Sequence, residues 1–215
     1  MSPDDPQKTA QQTFALIVGI EEYDMGAEWT LEGCIASALT FLAWLQQSHV
    51  PLDHVFLHLS PQNSHHAARP ADLNSVQASI LTLKEQQGDV LFIYWAGHGY
   101  AKPEQKEVQR LYVANSRSLR NTLGFDSVLA FLGSDPIGCQ RQLAFVDACA
   151  DTTADRSFEL TPYRFVEDQI TIVAEQYAYF PCRIGEAAPY QKGGLFSKQL
   201  FDWTVPRTNA WKLFI

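Results

Sequence analysis

Two apolar runs end on reactive side chains. DVLFIYWA (89–96) leads into Gly97-His98-Gly99, and QLAFVDA (142–148) leads into Cys149. A thiol beside an imidazole is the minimal equipment for covalent acyl transfer: the imidazole generates or holds the thiolate, then protonates the leaving amine. The glycines on either side of His98 strip the backbone of side chains, which lets a substrate carbonyl approach closely. The N–H groups of Gly99 and Cys149 are then the natural donors to an oxyanion. The alternative for each residue is plain. Cysteine is among the most commonly buried residue types, and a histidine beside a sheet is more often structural. The combination favours chemistry, because both residues terminate apolar strands and the cysteine opens a long irregular stretch, 149–168.

The elements that must position this pair are legible as alternation. Short apolar runs at 14–20, 54–60, 89–96, 110–114, 142–148 and 170–175 alternate with stretches of helical period. Near-continuous apolar runs suit parallel strands covered on both faces, and working groups of such sheets gather at the carboxyl edge. LEGCIASALTFLAWLQQ (31–47) carries Leu31, Ile35, Leu39, Leu42 and Leu45 at helical spacing. A second helix is expected to start at Asn74, with Gln77 in the capping-box position, a third to cover 122–133 up to Gly133, and a fourth to cover 194–203. The reading is a 14–204 domain preceded by a loose polar arm, 1–13, and followed by a tail, 205–215, that could begin a linker to a missing region.

Composition narrows the partners. An apolar share of 46% with only 19% charged residues supports a sizeable core, and a net charge of −8 without a Lys/Arg cluster argues against nucleic acid. No apolar run approaches membrane-spanning length, and the opening residues lack a signal-peptide core, so a cytoplasmic location is expected. Cys34, Cys139, Cys149 and Cys182 show no paired or metal-type spacing and are expected as reduced thiols. Cys34 lies on the apolar side of the first helix and suits packing; Cys139 and Cys182 fall in connections. His65 and His66 are adjacent, which is poor geometry for chelating one metal, and a solvated loop is expected for them. Glu21, Glu22 and Asp24 crowd a strand end and could meet substrate or a cation. No metal site and no cofactor are expected.

YWAGHG (94–99) and FVDAC (145–149) resemble the caspase and metacaspase group of cysteine peptidases. In caspases the histidine likewise precedes the cysteine by about 50 residues. ALIVGIEEY (15–23), LEGCIASA (31–38) and FSKQLFDW (196–203) are similar to that family's first strand, first helix and last helix. The resemblance implies a three-layer α/β fold, a mostly parallel six-stranded sheet with helices on both faces, and His98 and Cys149 as a catalytic dyad. It leans toward metacaspases, which cleave after Arg or Lys: Asp147 stands where caspases have glutamine, and the caspase arginine after the first strand is missing, the first arginine being Arg69. Asp147 and Cys149 are two apart on an extended segment and so share a face. Two departures are visible. Ser37 occupies the place of a second metacaspase pocket aspartate, and Ala150-Asp151-Thr152 replaces His-Ser-Gly, so Asp151 either substitutes for the missing carboxylate or does not. Asp147 could also serve only to organise backbone N–H groups.

The implied activity is a cysteine endopeptidase acting on a protein or peptide, with self-cleavage after Arg156 or Arg164 or an activating partner as expected regulation in a defence or cell-death setting. Calcium dependence enters through the resemblance alone. Two other readings stand beside it: a catalytically silent caspase-like docking module, and a cysteine hydrolase acting on a non-peptide acyl group. An activated thiolate reacts selectively with an alkylating probe, whereas a structural cysteine stays inert.

Overall fold

A computed structural model of the chain describes residues 10–102, 105–117, 120–148, 165, 171–181, 197 and 199. Its centre is a six-stranded, all-parallel sheet. In chain order the strands are β1 (Thr13–Ile20), β2 (Val55–Ser60), β3 (Arg69–Pro70), β4 (Gly88–Ala96), β8 (Cys139–Asp147) and β9 (Glu175–Tyr179), arranged β3-β2-β1-β4-β8-β9. A three-stranded antiparallel sheet, β5 (Gly99–Lys102), β6 (Gln105–Arg117) and β7 (Arg120–Gly124), grows directly out of the end of β4.

Alternation within the strands decides the layers. Every residue of β1 is buried. Phe14, Leu16, Val18 and Ile20 pack into a core with Leu91, Ile93, Trp95 and Val146, while Ala15 and Ile17 face the opposite core with Phe92, Tyr94 and Phe145. Helix α1 (Cys34–Gln47) covers the second core through Ile35, Ala38, Phe41, Leu42 and Leu45. Helices α2 (Leu73–Glu85) and α3 (Phe125–Gly133) cover the first, together with Leu111, Val113 and Leu123 of the small sheet. This is the three-layer α/β arrangement expected of the sequence.

Four local expectations are corrected. The apolar run 110–114 belongs to β6 of the small sheet rather than to the central one: Leu111, Tyr112 and Val113 are all buried, and an apolar run reports burial without naming the strand that pairs with it. The last central strand is Glu175–Tyr179 instead of 170–175. Val173 and Ala174 donate their N–H groups to the Gly133 carbonyl at the end of α3, and Ile172 bridges Ser134, so the chain is held there before it reaches β8. The stretch 122–133 divides into the end of β7 and α3. Helix α2 is capped by Asp72, whose carboxylate accepts from the Ser75 N–H at 3.0 Å, and not by Asn74, which already lies inside the helix. The expected helix 194–203 falls mostly outside the described residues, as do 1–9 and 205–215.

Candidate active site

The carboxyl ends of β4 and β8 lie side by side, with Ala96 opposite Asp147 and the Gly97 N–H donating to the Asp147 carbonyl at 3.2 Å. Beyond that bond β4 leaves the central sheet and becomes β5. His98 therefore sits at the junction of the two sheets, next to the end of the strand that leads to Cys149. Cys149 itself lies outside the described residues, as do Asp151, Arg156 and Arg164.

His98 is fixed from several directions. Its backbone carbonyl accepts from the Tyr112 N–H at 3.1 Å, and its backbone N–H donates to the Tyr23 hydroxyl at 2.8 Å. Its ring Nε2 lies 2.9 Å from the Trp29 carbonyl oxygen. A carbonyl can only accept, so Nε2 carries the proton, and in the neutral ring Nδ1 is left as an acceptor. No described residue engages Nδ1. The rings of Tyr23, Trp29 and Tyr112 surround the imidazole at centroid distances of 5.0, 5.2 and 6.4 Å. Burial among them lowers the imidazole pKa, with the Trp29 carbonyl pulling the other way, so the neutral ring dominates at neutral pH.

The segment that supplies Tyr23 and Trp29 runs from the end of β1 to α1. Gly26, at φ 113, turns it into a short 3-10 helix, Ala27–Trp29, from which the Trp29 carbonyl projects. Two of the acidic side chains there have partners within the fold. Glu21 Oε1 accepts from the N–H groups of Gly33 and Ile35 at 2.7 and 3.1 Å, satisfying the start of α1. Asp24 pairs with Arg117 at 3.1 Å, and the Glu22 carbonyl accepts from the Ser60 hydroxyl. Among the described residues no group of His, Cys, Asp and Glu is arranged to hold a metal ion.

Gly99 pairs with Leu111 across β5 and β6. The neighbouring pair, His98 with Tyr112, is the one bonded through the Tyr112 N–H, so by antiparallel alternation the Gly99 N–H points away from β6. The ladder leaves it unused.

Asp147 is buried at 9% exposure, and its Oδ2 accepts from both the backbone N–H (3.1 Å) and the hydroxyl of Ser197. The Ser197 hydroxyl meets the Tyr94 hydroxyl at 2.5 Å, and Tyr94 is in turn hydrogen-bonded to Ser37. Ser37 and Asp147, two of the sequence-predicted substrate residues, thus belong to one polar chain on the α1 side of the sheet. Burial raises the Asp147 pKa, opposed by the bonds from Ser197. Among the described residues no lysine or arginine forms an ion pair with it.

The other sequence candidates lie elsewhere. Cys34 is buried as the first residue of α1; Cys139 begins β8 rather than lying in a connection, and burial pushes its thiol up to about 12. Both are packing residues. Cys182 is outside the described residues. His65 and His66 stack at 4.5 Å in the loop after β2. Sequence reasoning missed Trp29, Tyr23, Tyr94 and Ser197. The Trp29 contribution is a backbone carbonyl and leaves no side-chain signature, while Tyr23, immediately past the first strand, could have been marked by its place at the carboxyl edge.

A doubly covered parallel sheet with an oriented histidine at its carboxyl edge defines the α/β class in which such sites are built. Residues 12–203 match the caspase domain family of peptidases (Peptidase_C14), and the chain belongs to that family. A probable protease from a Desulfuromonadales bacterium is 28% identical over 71% of this chain; the chain spans 20% of that protein's length. Among solved structures, caspase-1 from Spodoptera frugiperda has a TM-score of 0.63 at 14% identity, covering 94% of this chain and 75% of that one. A Geobacter sulfurreducens protein has a TM-score of 0.60 at 17% identity, covering 89% of this chain and 81% of that one. These structures share the fold. No described helix is long and apolar enough to cross a membrane.

Proposed function

We propose that the chain is a cysteine endopeptidase in which Cys149 attacks a peptide carbonyl and His98 relays the proton. The observation that carries this is the tautomer: Nε2–H is held by the Trp29 carbonyl, which leaves Nδ1 as an acceptor, on the residue that follows the Gly97 N–H bonded to the end of β8. A ring with a lowered pKa suits a neutral base that takes the thiol proton as attack occurs, rather than a standing imidazolium. The thiolate adds to the carbonyl, the C–N bond breaks as the imidazolium gives its proton to the leaving amine, and water then hydrolyses the thioester. The N–H groups of Gly99 and Cys149 receive the oxyanion.

We further assign Asp147 to recognition of Arg or Lys before the scissile bond. A buried carboxylate held only by neutral donors among the described residues still lacks a counter-charge, which a basic substrate side chain would supply. Self-cleavage after Arg156 or Arg164, regulation by a partner in a defence or cell-death setting, and a metacaspase-type rather than caspase-type preference belong to the same proposal.

The test is hydrolysis of fluorogenic peptides with Arg, Lys, Asp or a neutral residue before the bond, with and without calcium. Cleavage after Arg or Lys that vanishes in Cys149→Ala is the expected result. Asp147→Asn should reduce the preference for Arg over a neutral residue by about tenfold or more, the worth of one charge-assisted contact. Cleavage after Asp would sink the pocket assignment and keep the dyad. A folded chain with no turnover and no selective alkylation of Cys149 would favour a silent docking module.

A further inference from the structure

We propose that Tyr23 is a positioning residue for His98 and that Gly97 is glycine in order to admit the Tyr23 hydroxyl. The inference rests on His98 acting as the base proposed above. The β4–β8 ladder ends with the Gly97 N–H, and the next N–H, that of His98, has no carbonyl of that ladder to reach. In the antiparallel pair that follows, Tyr112 donates to the His98 carbonyl, but the reciprocal N–H of His98 goes to the Tyr23 hydroxyl instead, at 2.8 Å. Tyr23 thus takes over, by a side chain, a bond that neither sheet supplies, at the residue where the chain passes from one to the other. Its ring also packs against the imidazole, and it is buried at 7% exposure.

Gly97 completes the device. A Cβ placed there would stand 2.7 Å from the Tyr23 hydroxyl oxygen, whereas its next neighbours, Trp95 Nε1 and Ile20 Cβ, would be 3.5 and 3.6 Å away. Those last two distances are ordinary contact. The hydroxyl is therefore the group that conflicts with a side chain at position 97, and the two residues are coupled: alanine at 97 displaces the hydroxyl from the His98 N–H, while phenylalanine at 23 removes the conflict. Because the hydroxyl bonds the backbone of His98 and not its ring, losing it alters where the imidazole stands and leaves substrate binding alone.

The experiment measures the rate of Cys149 alkylation by iodoacetamide at neutral pH, and kcat and KM on the preferred peptide, in wild type, His98→Ala, Tyr23→Phe, Gly97→Ala and the double variant. Tyr23→Phe and Gly97→Ala should each lower alkylation and kcat by about tenfold, with KM within about twofold, as expected for a displaced catalytic group. The double variant should be no worse than Tyr23→Phe alone. Losses that multiply in the double variant, or a fall confined to KM, would overturn the inference. So would a Tyr23→Phe chain with wild-type rates where His98→Ala has lost them. If Tyr23→Phe fails to fold, Gly97→Ala decides alone, and wild-type rates in it would overturn the coupling. Wild-type alkylation in His98→Ala, by contrast, would refute the role of His98 itself.

Discussion

Two histidines of this molecule share burial and differ in what is done with their ring nitrogens. His58, on β2, is fully buried, and His98, one residue past Gly97 at the end of β4, is partly so; burial lowers the pKa of both, that of His58 to about 4. At His58 both nitrogens are occupied. Nδ1–H donates to the Pro70 carbonyl at 2.7 Å, and Nε2 accepts from the Ser79 hydroxyl at 2.9 Å, which itself accepts from Arg69 at 3.0 Å. At His98 one nitrogen is tied and the other meets no described residue. A depressed pKa is thus common to a structural and a proposed functional histidine, and a ring nitrogen that no described residue engages, at a carboxyl edge, tells them apart.

The largest test of that contrast is reciprocal substitution. His98→Gln should lower kcat by about 10²-fold or more, the usual contribution of a general acid–base group, with little change in unfolding free energy. His58→Leu should leave kcat near wild type but destabilise the fold by about 1–3 kcal/mol, since the Ser79 hydroxyl keeps Arg69 as a donor but loses the acceptor for its own proton, and the Pro70 carbonyl loses the imidazole N–H. Denaturant titrations beside turnover measurements check both. A His58→Leu enzyme with collapsed kcat but wild-type stability would erase the distinction.

A second test uses proton linkage at His58. Its folded pKa, about 4, lies below the unfolded value near 6.5. The unfolded chain therefore binds more protons between those values, so the stability tied to neutral His58 is fully present above about pH 6.5 and is lost as pH falls toward 4. The drop should approach about 3 kcal/mol, since each pH step between the two values is worth about 1.36 kcal/mol. The stability gap between wild type and His58→Leu should accordingly narrow across that window, and His98, present in both proteins, largely cancels. A gap independent of pH would show that His58 is not buried in its neutral form.

The same contrast marks how far the sequence could be read. Strands β1, β4 and β8 were legible because burial on both faces writes a near-continuous apolar run, and His98 stood out because Gly97 and Gly99 flank it. His58 went unremarked: inside VFLHLS it resembles any polar interruption, and its partners at 69, 70 and 79 are set by tertiary packing. β3, two residues that include a proline, and β9, whose Tyr177 and Tyr179 are largely exposed, carry too little periodicity to place. The apolar residues at 172 and 173 drew the last strand too early because their exposure is invisible in the sequence. His98 and Cys149 could be marked as candidates from their places after two apolar strands, Cys149 itself lying outside the described residues; the Trp29 carbonyl beside His98 could not, since any residue type offers a carbonyl.

The smallest effect concerns what holds the surroundings of each histidine. His58 is contacted from β3 and α2, whereas His98 leans on the segment between β1 and α1, where Glu21 ties the chain to the helix start. The residue preceding α1, Gly33, has no side chain to cap the helix, so Glu21 takes that role from twelve residues away. Glu21→Ala should cost about 1 kcal/mol of stability, as loss of a cap does, and Glu21→Gln less, because an acceptor remains and only the charge at the helix N-terminus is lost. The Leu31 N–H still bonds the Glu21 carbonyl in either variant, and Asp24 still pairs with Arg117, so Tyr23 and Trp29 keep their anchors. The fall in kcat should then be smaller than the about tenfold expected for Tyr23→Phe. A fall in Glu21→Ala that equals it, at unchanged KM, would mean that the whole segment and not Tyr23 and Trp29 individually sets the imidazole in place.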